Sequence, residues 1–250
     1  MKITYEEMKD IAKTLPIGYY LGRKVEVVID PSGGAYADIV KNIIHVGFDT
    51  IRQAADHIDA AEAAKWDREN LLRCVLYHEV GHLLLTHEYI GRYARYVGCL
   101  SFKNSEVKKW ALDLNSSQCH AIMNIFEDER LECILSSFFM GVDFKAFCKL
   151  INKGCSAKDD IMKLVDIIRL RKTTKEISDR VDDIIDNCCG ISAGRDDDCV
   201  YDLIKSYVVD VLTLAYDLIH TPPKDEKKDE EKDEKSDESG KPDESDDSSD

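Results

Sequence analysis

His78-Glu79-Val80-Gly81-His82 lies inside an apolar run, with Leu71-Leu72-Arg73-Cys74-Val75-Leu76-Tyr77 before it and Leu83-Leu84-Leu85 after it. On an α-helix, residues four apart share a face, one turn above the other. His78 and His82 then aim ring nitrogens at one point, and Glu79 projects from the side of that face, within reach of a water held there. Two imidazoles at i and i+4 with a carboxylate at i+1 are what metal-activated hydrolysis requires, the carboxylate serving as general base. Asp67 is the expected N-cap of this helix, which the apolar pattern carries, largely buried, to about Glu88. Burying two histidines and a glutamate on one helix without a metal would leave polar groups that are costly to satisfy.

A catalytic zinc site takes three protein ligands and keeps its fourth position for water. The third ligand must come from elsewhere in the chain. His87, five residues past His82, falls well around the helix from the pair. A pattern with the third ligand six residues past the second His needs a helix-breaking Gly on the way, and Leu85 and Glu88 stand at those positions instead. A better source is Asn124-Ile125-Phe126-Glu127-Asp128-Glu129-Arg130-Leu131-Glu132, on a second helix expected from a cap at Ser116 or Ser117 to about Phe138 or Phe139. Glu127 is the first choice of ligand and Asp128 the second. The remaining acid suits the outer shell, accepting the far N–H of a ligating imidazole and so fixing its tautomer. Cys119-His120 offers a rival place for a metal.

H-E-V-G-H followed by N-x-x-E-D-x-R-x-E resembles a group of bacterial and phage zincin metallopeptidases. It is also similar to segments found upstream of von Willebrand A domains, including those of cobalt-chelatase-type subunits. The resemblance spans roughly residues 35–140. It implies a gluzincin-like core with His78, His82 and Glu127 on Zn2+ and Glu79 as general base. The chain departs from the pattern in the long separation of His82 from Glu127, and no von Willebrand A domain follows. A separately encoded protein partner is therefore an expectation of the resemblance.

At 250 residues and 44% hydrophobic, the chain is long enough to bury a substantial core. Its net charge is −15, unevenly spread: residues 221–250 hold 6 Lys against 14 Asp and Glu and contain no aliphatic or aromatic core former. Such a segment cannot offset its ordering entropy by burial, so a disordered acidic tail is expected there. The acidic balance argues against nucleic-acid binding, which depends on cationic surface. No stretch has the length and apolarity of a membrane span, and the N-terminus lacks the apolar run of a secretory signal. The nine Cys are scattered, with no C-x-x-C, and suit a reducing cytoplasm. Cys74 and Cys133 are expected to be buried.

Outside the motif helix, the pattern predicts an α+β, mainly helical fold. A helix is expected at Tyr5–Thr14, a strand at Lys24–Ile29, and one or two more strands from Ala35 to Val46. Residues 50–65 read as an Ala-rich helix, and Gly91–Asn104 as a loop whose Tyr93, Tyr96 and Phe102 are placed to cover the cleft, a tyrosine there being able to steady an oxyanion. From Phe144 onward the spacing is helical, punctuated by Gly141, Gly154, Gly190 and Gly194. The expected organisation is a zincin-like catalytic domain over 1–140, a helical subdomain over 141–220 and the tail over 221–250. The expected function is a cytoplasmic zinc metallopeptidase that hydrolyses peptide bonds of a specific intracellular protein. The alternative is a catalytically silent zincin-fold module in a phage or chelatase-like assembly.

Overall fold

The computed structural model describes residues 2–17, 22, 24–139, 141–153 and 159–220. The tail expected over 221–250, and the punctuating Gly154, lie outside the described residues. The architecture is α+β and mainly helical, with one small sheet.

Helix α1 (Tyr5–Thr14) starts at a capping box, in which the Thr4 hydroxyl accepts from the Glu7 N–H and the Glu7 carboxylate accepts from the Thr4 N–H. Strands β1 (Glu26–Asp30), β2 (Ala35–Asp38) and β3 (Ile43–Gly47) form a sheet of order β1-β3-β2, with β3 parallel to β1 and antiparallel to β2. The alternation of β3 turns Ile44 and Val46 inward, fully buried. Asn42 makes the hairpin turn at φ 57, a left-handed conformation that Asn tolerates. Gly47 closes β3 against the loop after β1, where an added Cβ would stand 1.9 Å from the Gly33 carbonyl oxygen. The order leaves β2 as an edge strand.

Helix α2 (Phe48–Asp56) is shorter than the expected 50–65 helix. After it, the Asp59 carboxylate accepts from the N–H groups of Ala61 and Glu62 and turns the chain. Helix α3 (Arg68–Leu85) carries the H-E-V-G-H motif and begins as expected, with Asp67 accepting from the Asn70 N–H. It stops at Leu85 rather than near Glu88. Thr86 is extended and His87 caps a new helix, α4 (Glu88–Arg95), by accepting from the Tyr89 N–H at 3.2 Å. The loop expected over 91–104 is thus largely α4 and a 3-10 turn, Val97–Cys99. Its Tyr93 and Phe102 pack against a core instead of over the cleft, and Tyr96 stands exposed.

Helix α5 (Ser105–Asp113) leads to α6 (Ser116–Leu135), whose N-cap is Asn115 in a capping box with Gln118, and which ends at Leu135, a few residues before the expected Phe138 or Phe139. Then follow α7 (Phe144–Ile151), α8 (Asp160–Leu164) with a π-helical turn at Val165–Arg169, α9 (Lys175–Asn187) and α10 (Asp198–His220). None of the described helices is long and apolar enough to cross a membrane.

Two apolar cores flank α6. One gathers Met8, Ile44, Ile51, Leu72, Leu76 and Val80 with Leu131 and Leu135 of α6. The other gathers Ile90, Ile168, Val181, Ile204 and Val211 with Ile122 and Phe126 of α6. Helices α4 and α5, from before residue 140, pack into the second core, and α7, from after it, packs into the first. Helix α6 therefore runs through the middle, with α3 on one flank and α10 on the other. Gly81 lets α3 approach it, since a Cβ there would meet the buried Leu135 Cδ1 at 2.5 Å.

Candidate metal centre

The seam between α3 and α6 brings the motif histidines against an acidic stripe. His78 Nε2 lies 3.4 Å and His82 Nε2 3.3 Å from the same atom, Asp128 Oδ1. That oxygen is buried and accepts no hydrogen bond. One nitrogen from each histidine and one Asp128 oxygen all lie within 4.8 Å of one another, and this group can hold a metal ion.

The structure thus brings Asp128, rather than Glu127, to the histidine pair. Both acids are one-residue neighbours on α6, so they project about 100° apart and only one can face α3. Glu127 turns toward α10 and the end of α3. It accepts from Arg130 Nη2 at 2.7 Å, Arg130 Nε at 3.0 Å, the Thr86 hydroxyl at 2.8 Å and the Tyr207 hydroxyl at 3.2 Å. His87 is directed elsewhere, its Nε2 bonded to the Arg195 carbonyl at 2.8 Å. Cys119 is buried in the second core while His120 is exposed, and neither joins the metal-competent group. Cys74 is buried as expected, but Cys133 is exposed, on the outer side of α6.

The far nitrogens of the two histidines are held differently. His78 Nδ1 lies 3.2 Å from Glu132 Oε1, one turn beyond Asp128 on α6. His82 Nδ1 lies 2.9 Å from the Thr86 hydroxyl oxygen. Arg169 spans the acids from the other side, with Nη1 2.5 Å from Asp128 Oδ2 and Nη2 2.5 Å from Glu132 Oε1. The π-helical turn delivers this arginine, because a widened turn rotates its side chain relative to a regular helix. Two residues on, Arg171 sits at φ 52 and bonds Glu129 at 2.8 Å and Asp182 at 2.6 Å. Lys145 also bonds Glu129.

Around the histidines stand Glu79, Asp128 and Glu132, and the Arg169 guanidinium pairs with the last two. Burial disfavours the charged His78 imidazole, yet Asp128 and Glu132 outweigh it and push its pKa up to about 10. Burial likewise opposes the Asp128 charge, but Arg169 and His78 hold that carboxyl well below its usual range. Glu79, 4% exposed, is pushed up by burial, with His78 and His82 pulling against it. Its Oε2 has no hydrogen-bond partner.

The site opens into a cleft of about 450 Å³. His78, Glu79, His82 and Asp128 line its floor, and edge strand β2 lines one wall through Ala35, Tyr36 and Ala37. Arg95, His120 and Asn124 line another part. The expected tyrosine near an oxyanion is not among the lining residues, since neither Tyr93 nor Tyr96 reaches this cleft. The sequence reading missed Thr86, Arg169 and Tyr207. Thr86 stands one turn past His82, but the apolar run gives no sign that the helix ends beside it. Tyr207 reads as one more apolar position of α10, and Arg169 as the first of a short basic run with Arg171 and Lys172, 41 residues from its partner. No family model, no curated protein and no solved structure matches this chain.

Proposed function

We propose that the chain is a zinc-dependent metallopeptidase, with His78, His82 and Asp128 holding the metal and Glu79 as general base. The observation that carries this reading is the convergence of two imidazole Nε2 atoms on one unpartnered carboxylate oxygen. Ligand atoms about 2.1 Å from a tetrahedral ion stand about 3.4 Å apart, which the 3.3 and 3.4 Å separations match. Two nitrogens and an oxygen form the donor set of catalytic rather than structural zinc, leaving a position for water.

Zinc bound there would polarise a scissile carbonyl and bring a water's pKa to about 7. Glu79 takes the proton of the attacking water and delivers it to the leaving amine. Its burial suits both halves of that task, since a carboxyl with a raised pKa holds a proton long enough to pass it on. The open edge of β2 beside the cleft can align an extended peptide by main-chain hydrogen bonds. The substrate is a specific protein of the cytoplasm, and the acidic chain favours a basic or neutral partner over nucleic acid.

The test is Glu79→Gln. This variant should bind zinc as the wild type does and lose hydrolysis of a peptide library, and it should retain its substrate in a pull-down. Undiminished hydrolysis by Glu79→Gln would contradict the mechanism.

A further inference from the structure

His78 and His82 are not equivalent beyond the metal-facing atoms. The His78 Nδ1 meets a carboxylate directly, but the His82 Nδ1 meets a hydroxyl, and that hydroxyl bonds a second acid. We propose that Thr86 and Glu127 are positioning residues for His82: a hydroxyl relay that fixes the imidazole tautomer and ties the metal site to the core beneath α10. This rests on the metal-site reading above.

The direction of the relay follows from donor and acceptor capacity. An ionised carboxylate only accepts, and a hydroxyl has one proton to donate. Glu127 is ionised, because Arg130 bonds it through both Nε and Nη2 in the buried core. The Thr86 proton therefore points to Glu127 Oε1, 2.8 Å away. Only lone pairs remain on the Thr86 oxygen toward His82, so His82 Nδ1, 2.9 Å away, must carry the proton. A neutral imidazole protonated at Nδ1 has its lone pair on Nε2, the atom beside Asp128 Oδ1. The opposite tautomer would present a hydrogen to the metal position.

The relay is anchored on every side. Thr86 is the C-cap of α3, and its N–H bonds the His82 carbonyl at 3.1 Å, so backbone and side chain both return to the same histidine. Arg130 Nη2 also bonds the Leu85 carbonyl at 2.8 Å, satisfying an otherwise open acceptor at the helix end. Tyr207, fully buried on α10, donates to Glu127 Oε2 at 3.2 Å, and Arg130 Nη1 reaches the Ile191 carbonyl at 3.3 Å. Thr86 and Glu127 line the same cleft as His82, and Arg130 and Tyr207 hold Glu127 in place from the core side.

The experiment compares Thr86→Val, which keeps the shape and removes the hydroxyl, with Thr86→Ser, which restores it. Zinc affinity is measured by competition with a chelator, and the tautomer of His82 is read from imidazole nitrogen resonances in the zinc-free protein. His82→Ala serves as the control for the metal site itself, and circular dichroism and melting show that each variant folds. Thr86→Val should weaken zinc binding about 10–100-fold and mix the His82 tautomers. Thr86→Ser should return affinity to within about threefold of wild type and restore the Nδ1–H signature, which a purely structural role of the methyl group would not do. Unchanged affinity and an unchanged His82 signature in Thr86→Val, with zinc lost in His82→Ala, would overturn the relay and leave the metal site standing. Wild-type zinc binding in His82→Ala would overturn both.

Discussion

Asp128 Oδ1 is the atom on which the site turns, and its neighbour Glu127 shows why a side chain's charge is not enough to name a ligand. They are acids on adjacent positions, Glu127 buried and Asp128 half-buried, but Glu127 spends its lone pairs on Arg130, Thr86 and Tyr207, while Asp128 keeps one buried oxygen free. Asp128→Ala should therefore lower zinc affinity more than Thr86→Val does, as a chelator competition would show; equal or smaller loss would exclude Asp128 as ligand. The sequence made the acid pair legible, because two adjacent carboxylates on a helix opposite H-E-x-x-H are expensive without a cation. It could not choose between them, since that choice depends on the rotation of α6 about its axis. His78 gives the site its pH dependence. Its imidazole titrates near 6.5 when unfolded and is raised to about 10 when folded without metal. The stabilisation is then complete below about pH 6.5 and disappears as the pH rises toward 10. Metal binding must displace this proton, so calorimetry in buffers of different ionisation heat should find about one proton released per zinc at neutral pH; zero release would place the metal elsewhere.

At the scale of elements, the seam between α3 and α6 depends on one small residue. Alanine in place of Gly81 gains about 1 kcal/mol of helix propensity but must displace the buried Leu135 methyl, an overpacking cost of about 1–3 kcal/mol. Gly81→Val adds more bulk and a β-branch, so it should destabilise by more and also weaken zinc binding, by prying α6 from α3. Denaturant melts of the two variants check this; a valine variant as stable as wild type would mean the helices are not held at this contact. The start of α3 was legible because Asp67 announces a cap chemically, whereas at α6 the cap expected from Ser116 or Ser117 falls instead on Asn115 just before them. Helix ends were less so. Leu85 has no stop signal of its own, and α3 ends there because His87 caps the next helix and Arg130 holds the Leu85 carbonyl from 45 residues away. The π-helical turn that presents Arg169 left no mark in the hydrophobic spacing at all.

Across the whole molecule, α6 belongs to both cores, so an ion held between α3 and α6 would pin the motif helix of the first core to the helix that both cores share. Zinc at a hundredfold excess over its dissociation constant should stabilise the fold by about 2.7 kcal/mol, raising the melting temperature by about 5–11 °C for a chain of this size. A chelator should reverse the shift, and a melting temperature indifferent to zinc would argue that no folded-state site exists. Arg130→Met should be among the most damaging changes away from the cleft, because it leaves the Glu127 charge buried without its partner, at a cost of about 3–5 kcal/mol. The α+β, mainly helical class was readable from periodicity, whereas the sharing of one helix by two cores was not, since periodicity reports which face is buried and not against what. X-ray absorption of the zinc-loaded protein tests the site most directly. One zinc per chain should appear, with two imidazole nitrogens and one carboxylate oxygen at about 2.0–2.2 Å and no sulfur. A sulfur shell near 2.3 Å, drawn from the chain's cysteines, or the absence of stoichiometric zinc, would contradict the assignment of His78, His82 and Asp128.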